Sequence, residues 1–211
     1  MTEPASPTLP PHPDVEIIEA TKAFERFLRI DTFRFRQRLY SGKWSPVRSY
    51  DVMRRGPAVA MVPYDPVRDS VLLIEQFRLP ALLAAAAPWQ IEIPAGLVDP
   101  GEKPEAVAGR EMREETGLAF IGDPIPIQRY LPSPGDSDES VFLFCVRVDA
   151  GAAGGVHGLP EEGEDIRTTV KTVAEIEALL DAGAIENGHT LVALYWLLRH
   201  HERLRRLWCL A

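Results

Sequence analysis

The strongest constraint on this chain is the segment 96–118, GLVDPGEKPEAVAGREMREETGL. A helix over 104–116 is written into it at both ends. Pro104 suits the first helical turn, where its missing N–H costs nothing, and Glu105 complements the positive end of the helix dipole. Gly117 stands where a left-handed residue closes a helix. Lys103, at the expected N-cap position, is a weak cap, so the preceding loop must secure that end by other contacts. On such a helix Glu111 and Glu115 lie about 40° and one turn apart, with Glu114 about 60° to the other side of Glu111. Three like charges on one face repel one another, and a cation normally compensates them. Clustered hard oxygen donors suit Mg²⁺, or Mn²⁺, rather than zinc. Arg110 is placed to pair with one of these carboxylates and hold its orientation.

The rest of the chain is read from period and punctuation. Residues 32–40, TFRFRQRLY, alternate in period two and predict a half-exposed strand; 15–20 and 46–54 predict companions, with a turn at Ser41-Gly42-Lys43. So small a sheet rarely stands alone, which predicts packing on something larger, such as a second subunit. After Gly56-Pro57, apolar runs at 58–63 and 70–75 predict buried neighbouring strands. Further strands are expected at 89–93, 125–131, 140–148 and 165–171, a Gly- and Glu-rich loop at 149–163, and helices at 172–182 and 188–207. Strands interrupted by helices predict a mixed α/β layered fold. Pro4, Pro7, Pro10, Pro11 and Pro13 make 1–13 a poor former of either element, expected to be a disordered tail. The domain expectation is therefore a tail over 1–13, a β unit over 14–55 and a main domain over 56–211.

A length of 211 residues and a net charge of −8 fit an acidic globular protein. That balance argues against non-specific nucleic-acid binding, but not against a nucleotide held through cations. The only cysteines, Cys145 and Cys209, suggest no disulfide framework, and a reducing cytoplasm fits. The N-terminus lacks the charge and apolar core of a secretory signal, and no apolar run approaches the ~20 residues of a membrane span. His200 and His201 are adjacent on a helix, about 100° apart, and are expected to be ordinary surface residues rather than a chelating pair. Cys145 is expected in the core.

Segment 96–118 also resembles the box of the Nudix hydrolases. Gly96, Glu102, Arg110, Glu111, Met112, Glu114, Glu115, Gly117 and Leu118 all fall in register with it. Residue frequencies put a chance match on the order of one in a million. Beyond the box the resemblance is closest to the bacterial ADP-ribose pyrophosphatases of that superfamily. It is carried by DPVRDSVLLIEQFR at 65–78, IPAGLVDPGE at 93–102, SPGDSDE at 133–139 and HGLPEEGEDIR at 157–167. Pro132, fifteen residues after Gly117, has a spacing associated with ADP-ribose specificity.

The resemblance implies an α/β/α sandwich with a mixed sheet, plus a small N-terminal antiparallel β unit, working as a homodimer. It implies two or three Mg²⁺ ions (Mn²⁺ being possible) held by the Ala95 carbonyl and by Glu111, Glu114, Glu115 and Glu164. It implies Arg110, Glu115 and Glu162 as catalytic residues, with Glu162 taking the proton of the attacking water. Composition alone reads 161–165 as a solvated acidic loop and leaves Glu161, Glu162 and Glu164 open as the base. Arg78, Ser133 and Glu139 are implied substrate contacts, and Phe27 and Tyr50 an adenine sandwich whose two rings can come from different subunits. The resembling proteins carry an arginine at the second ring position, so Tyr50 would stack without its charge. The implied reaction is hydrolysis of ADP-ribose to AMP and ribose 5-phosphate. The alternatives are another nucleoside diphosphate sugar, such as GDP-mannose, and a non-catalytic sensor on the same fold.

Overall fold

The structure is a computed structural model that describes residues 10–209, apart from the side chains of Glu162 and Cys209. The chain divides into two compact units, residues 1–56 with 133–139, and residues 57–132 with 140–211. Positions 1–9 of the expected tail lie outside the described residues; just after them, Val15 N–H donates to the His12 carbonyl at 3.1 Å in a turn.

The smaller unit is a three-stranded antiparallel sheet, β1 (Val15–Glu25), β2 (Arg29–Gln37) and β3 (Arg48–Arg54), in that spatial order. The alternation on β2 sends Phe33 inward and Arg34 and Arg36 outward, where they meet Glu19 and Glu16 of β1 at 3.0 and 2.6 Å. Segment 133–139 joins β3 through Met53, whose N–H donates to the Asp136 carbonyl at 2.8 Å. A buried carboxylate, Asp31, sits between Arg29 at 2.9 Å and Arg54 at 2.8 Å, and Arg54 also reaches Asp138 at 2.6 Å. Burial alone would raise the pKa of Asp31, but the two guanidinium groups hold it below the usual carboxylate range. Strand β1 is exposed along nearly its whole length on both faces.

The larger unit is built on an eight-stranded mixed sheet. Its main strands are β4 (Pro57–Asp65), β5 (Ser70–Phe77), β8 (Ile121–Tyr130), β9 (Ser140–Arg147), β10 (Val156–His157) and β11 (Ile166–Thr172). Their order is β10-β11-β5-β4-β9-β8, with β4 and β9 parallel. β6 (Trp89–Glu92) pairs with β5, and β7 (Ala95–Leu97) pairs with β4. The helices are α1 (Leu79–Leu83), α2 (Pro104–Thr116), α3 (Val173–Asp181) and α4 (Gly188–Cys209).

Strand alternation explains the layers. Ala58, Ala60, Val62 and Tyr64 of β4 pack with Ile176, Leu194 and Leu197 of α3 and α4. Val59 and Met61, pointing the other way, pack with Val107, Ala108 and Met112 of α2. A strand covered on both faces reads as a continuous apolar run, as 58–62 does. The unit is thus an α/β/α sandwich, as expected. Cys145 lies in the α3/α4-side core, where burial pushes its thiol pKa up. The expectation for His201 is corrected. Its Nε2 lies 2.5 Å from Asp69 Oδ1 and its ring packs against Tyr64, so it ties α4 to the β4–β5 turn. His200 instead stacks on Trp196, so the two imidazoles do not converge. No helix among the described residues is long and apolar enough to cross a membrane.

Candidate active site

Helix α2 begins at Pro104 and ends before Gly117, whose φ of 70° is the left-handed conformation that favours glycine. Lys103 makes no side-chain cap. The loop secures this end instead: Asp99 N–H donates to the Glu102 carboxylate at 3.1 Å, and Glu102 N–H to the Asp99 carbonyl at 3.0 Å. Val107, Ala108, Met112 and Glu115 share the buried side of the helix. Core packing of the three apolar residues therefore drives Glu115 inward, leaving it 3% exposed.

Glu115 Oε2 accepts the Ala95 N–H at 2.9 Å, joining the helix to β7. Glu111, one turn earlier, lies against Gly96. A methyl group there would stand 2.0 Å from Glu111 Oε1, so any side chain at 96 would displace the Glu111 carboxylate. Arg110 Nη1 meets Glu111 at 2.9 Å and Glu114 at 2.8 Å, so it braces two carboxylates rather than the one anticipated. The Glu114 carbonyl accepts the Gly158 N–H at 3.0 Å, anchoring the acidic loop to the helix. In that loop Glu164 Oε2 accepts the Leu159 N–H at 3.0 Å.

The charges of these groups act on one another. Burial raises the Glu111 pKa from 4.5 to about 7, offset by Arg110 and reinforced by the charges of Glu114 and Glu164. Burial also holds Glu115 well above its ordinary value, and Glu111 and Glu164 add to this against the Ala95 N–H and Arg78. Among the described residues, no three acidic, imidazole or thiol groups close on one point as a formed metal cage. The donor set nevertheless fits a hard divalent cation: carboxylates such as Glu111 and Glu115, whose proton affinity is raised by burial and by neighbouring negative charge, are what such a cation relieves.

The raised proton affinity of Glu111 makes stability depend on pH. A carboxylate whose pKa rises on folding stabilises the folded state while protonated; that contribution is complete below about 4.5 and is lost as pH rises through about 7. In EDTA, the thermal midpoint is expected to fall across this window, and Mg²⁺ to restore it most at the upper end. A midpoint that climbs steadily with pH in EDTA contradicts this.

Arg78, at the end of β5, is half-exposed and grips the buried Glu92 of β6, Nη2 to Oε2 at 2.7 Å and Nε to Oε1 at 3.1 Å. The charges of Glu115 and Glu164 act on it too, which puts it beside the cluster. The larger unit therefore gathers Arg78, Ala95, Arg110, Glu111, Glu114, Glu115 and Glu164. The side chain of Glu162 lies outside the described residues. Its backbone is in the 3-10 turn Pro160–Glu162, two positions before Glu164.

Four other anticipated residues belong to the smaller unit. Ser133 bonds Asp136 at 2.5 Å within its own turn, and Glu139 N–H donates to Ser137 Oγ at 3.1 Å. Phe27, at the β1–β2 hairpin tip, is 93% exposed. Tyr50 is bonded to the Gly135 carbonyl and registers with Phe33. That is four residues along β2 from Arg29, about 13 Å at the usual rise, so the two rings do not face each other within one chain. Glu92 escaped the sequence reading. Its signal was a carboxylate between Ile91 and Ile93 in a strand that turns out to be buried.

The NUDIX domain family matches residues 54–192. The chain belongs to the NUDIX family. Among its relatives, the ADP-ribose pyrophosphatase of Escherichia coli (strain K12) is 40% identical over 195 residues, 92% of this chain and 93% of that one. The ADP-ribose pyrophosphatase of Haemophilus influenzae is 35% identical over 198 residues, 92% of this chain and 91% of its own. The crystal structure of an ADP compounds hydrolase superimposes with a TM-score of 0.67, covering 89% of this chain and 96% of that one. At 20% identity that likeness speaks for the fold alone. The NUDIX match spans β4 to the first turn of α4, and so contains every residue of the carboxylate cluster.

Proposed function

We propose that this Nudix chain hydrolyses ADP-ribose to AMP and ribose 5-phosphate with Mg²⁺, two or three ions per site, Mn²⁺ serving as a substitute. The observation that carries the chemistry is that burial first, and then the charges of neighbouring carboxylates, raise the pKa values of Glu111 and Glu115 beside a half-exposed arginine. The choice of substrate is supported by 40% identity over 92% of the chain to an ADP-ribose pyrophosphatase.

The carboxylates of Glu111, Glu114, Glu115 and Glu164, with the Ala95 carbonyl, are the proposed ligands. A bound divalent cation supplies neutralisation of the diphosphate and lowers the pKa of bound water. Arg78 has the Nη1 edge of its guanidinium uncommitted to Glu92, and that edge forks onto a phosphate. Arg110 keeps Glu111 and Glu114 from swinging away. Glu162 accepts the water proton as the water oxygen bonds to phosphorus; the bridging P–O bond breaks in line and the leaving phosphate ester takes the electron pair. A loop suits this base, because it can approach only when substrate is bound. Ser133 and Glu139 are proposed to contact substrate.

The proposed working form is a cytoplasmic homodimer. The dimer is supported by the exposure of β1 on both faces and of Phe27 at the hairpin tip, away from Tyr50, whose ring meets Phe35 edge-on. Light scattering at micromolar concentration should return twice the chain mass; a monomer would count against it. The test of the reaction is a panel of ADP-ribose, GDP-mannose, NADH, diadenosine polyphosphates and CoA. ADP-ribose is expected to lead in kcat/KM by about tenfold or more. A preference for GDP-mannose would replace the substrate, and ADP-ribose binding without AMP would turn the protein into a sensor.

A further inference from the structure

Glu92 is a carboxylate 4% exposed on a short strand, and burying such a charge is costly unless it is paired on every side. It is so paired. Arg78 takes it through two nitrogens, at 3.1 and 2.7 Å, and Asn187 Nδ2 donates to Oε1 at 3.2 Å. Asn187 itself is held: its Oδ1 accepts the Thr190 N–H at 3.0 Å, capping α4, and the Thr190 hydroxyl at 2.9 Å. The fully buried Thr190 Oγ1 in turn accepts the Ile93 N–H at 3.1 Å. Two residues on, Ala95 N–H meets Glu115. One cap thus supports both Arg78 and the strand that holds Glu115.

We propose that Glu92, steered by Asn187, is a positioning residue that presents the free edge of Arg78 to a diphosphate. Arginine has five N–H groups in a planar fork, and Glu92 occupies the Nε side. Fixing that side aims the Nη1 side outward before ligand arrives, so the arginine need not be ordered on binding. This rests on the reading of Arg78 as a phosphate contact.

The test titrates the full chain with inorganic pyrophosphate in magnesium buffer, by calorimetry. Wild type, Glu92→Gln, Arg78→Ala and the double variant form a cycle. Glu92→Gln is expected to weaken binding about three- to tenfold, the cost of ordering one long side chain, and to add nothing once Arg78 is gone. Asn187→Ser keeps an N-cap acceptor but removes the amide donor; it should weaken binding about two- to threefold, again only when Arg78 is present. If Glu92→Gln fails to fold, the Asn187→Ser arm decides. Unchanged affinity, additive losses or no pyrophosphate binding by wild type would each overturn the proposal. Tighter binding in Glu92→Gln would also overturn it, by making the carboxylate a competitor for Arg78. ADP-ribose turnover in the same proteins reports separately: the coupling without cleavage of ADP-ribose would sink the substrate reading alone.

Discussion

Replacing Glu115 by Gln is expected to cut ADP-ribose turnover by on the order of 10³-fold, a loss of the size seen when a main electrostatic contact to a transition state is removed. Glu115 is the most buried member of the cluster, and Oε2 is committed to the Ala95 N–H at 2.9 Å. Gln has nearly the same shape. Its side-chain oxygen can keep that hydrogen bond, but it brings no charge to a cation. The variant should therefore fold, and without metal it should be more stable than wild type. The wild-type carboxylate is held well above its ordinary pKa, mainly by burial, so ionising it at neutral pH works against the folded state. Lost turnover together with a gained thermal midpoint in EDTA distinguishes a metal platform from a structural residue. Full activity with Mg²⁺ would remove Glu115 from the ligand set.

Glu162→Gln is expected to lose about 10²–10⁴-fold in kcat, the usual contribution of a general base. The thermal midpoint and the Mg²⁺ requirement should hardly move, because the residue sits on the short turn Pro160–Glu162 in the connection between β10 and β11. The loss should shrink at high pH, where hydroxide replaces base-assisted water. Turnover equal to wild type would pass the role to Glu161 or Glu164. Of these, Glu164 is already bonded to Leu159 N–H at 3.0 Å.

Much of the larger unit was legible because its signals are local. Pro104 and Gly117 bound α2 at the positions expected from helix-end chemistry alone. The apolar runs at 58–63 and 70–75 became β4 and β5 because strands covered on both faces need no alternation. Short elements were not legible. α1 has five residues and β7 three, too few for any period to emerge. β8 begins at Ile121, ahead of the expected 125, through an opening marked by Gly122 in the left-handed region at φ 76°. Long-range partnerships were hidden as well. Segment 133–139 joins a sheet roughly eighty residues earlier in the chain through Met53 and Arg54. The burial of Glu92 depends on Arg78 and Asn187, and the anchoring of His201 on Asp69.

In the site itself, the box residues were legible as a set because a helix places 111, 114 and 115 on one side whatever surrounds it. What that set does to its own proton affinities depends on burial, which no spacing reveals. The division of the anticipated contacts also arises from tertiary structure. Phe27, Tyr50, Ser133 and Glu139 fall in the smaller unit, and the charged cluster falls in the larger one.

If the carboxylate face of α2 works as a cation platform for cleaving a diphosphate, turnover must depend on the cation. The most direct test follows AMP release from ADP-ribose by the wild-type chain while Mg²⁺ is removed with EDTA and then returned. Release is expected to fall to background and to recover when Mg²⁺ is restored. Undiminished AMP release in excess EDTA would contradict that dependence.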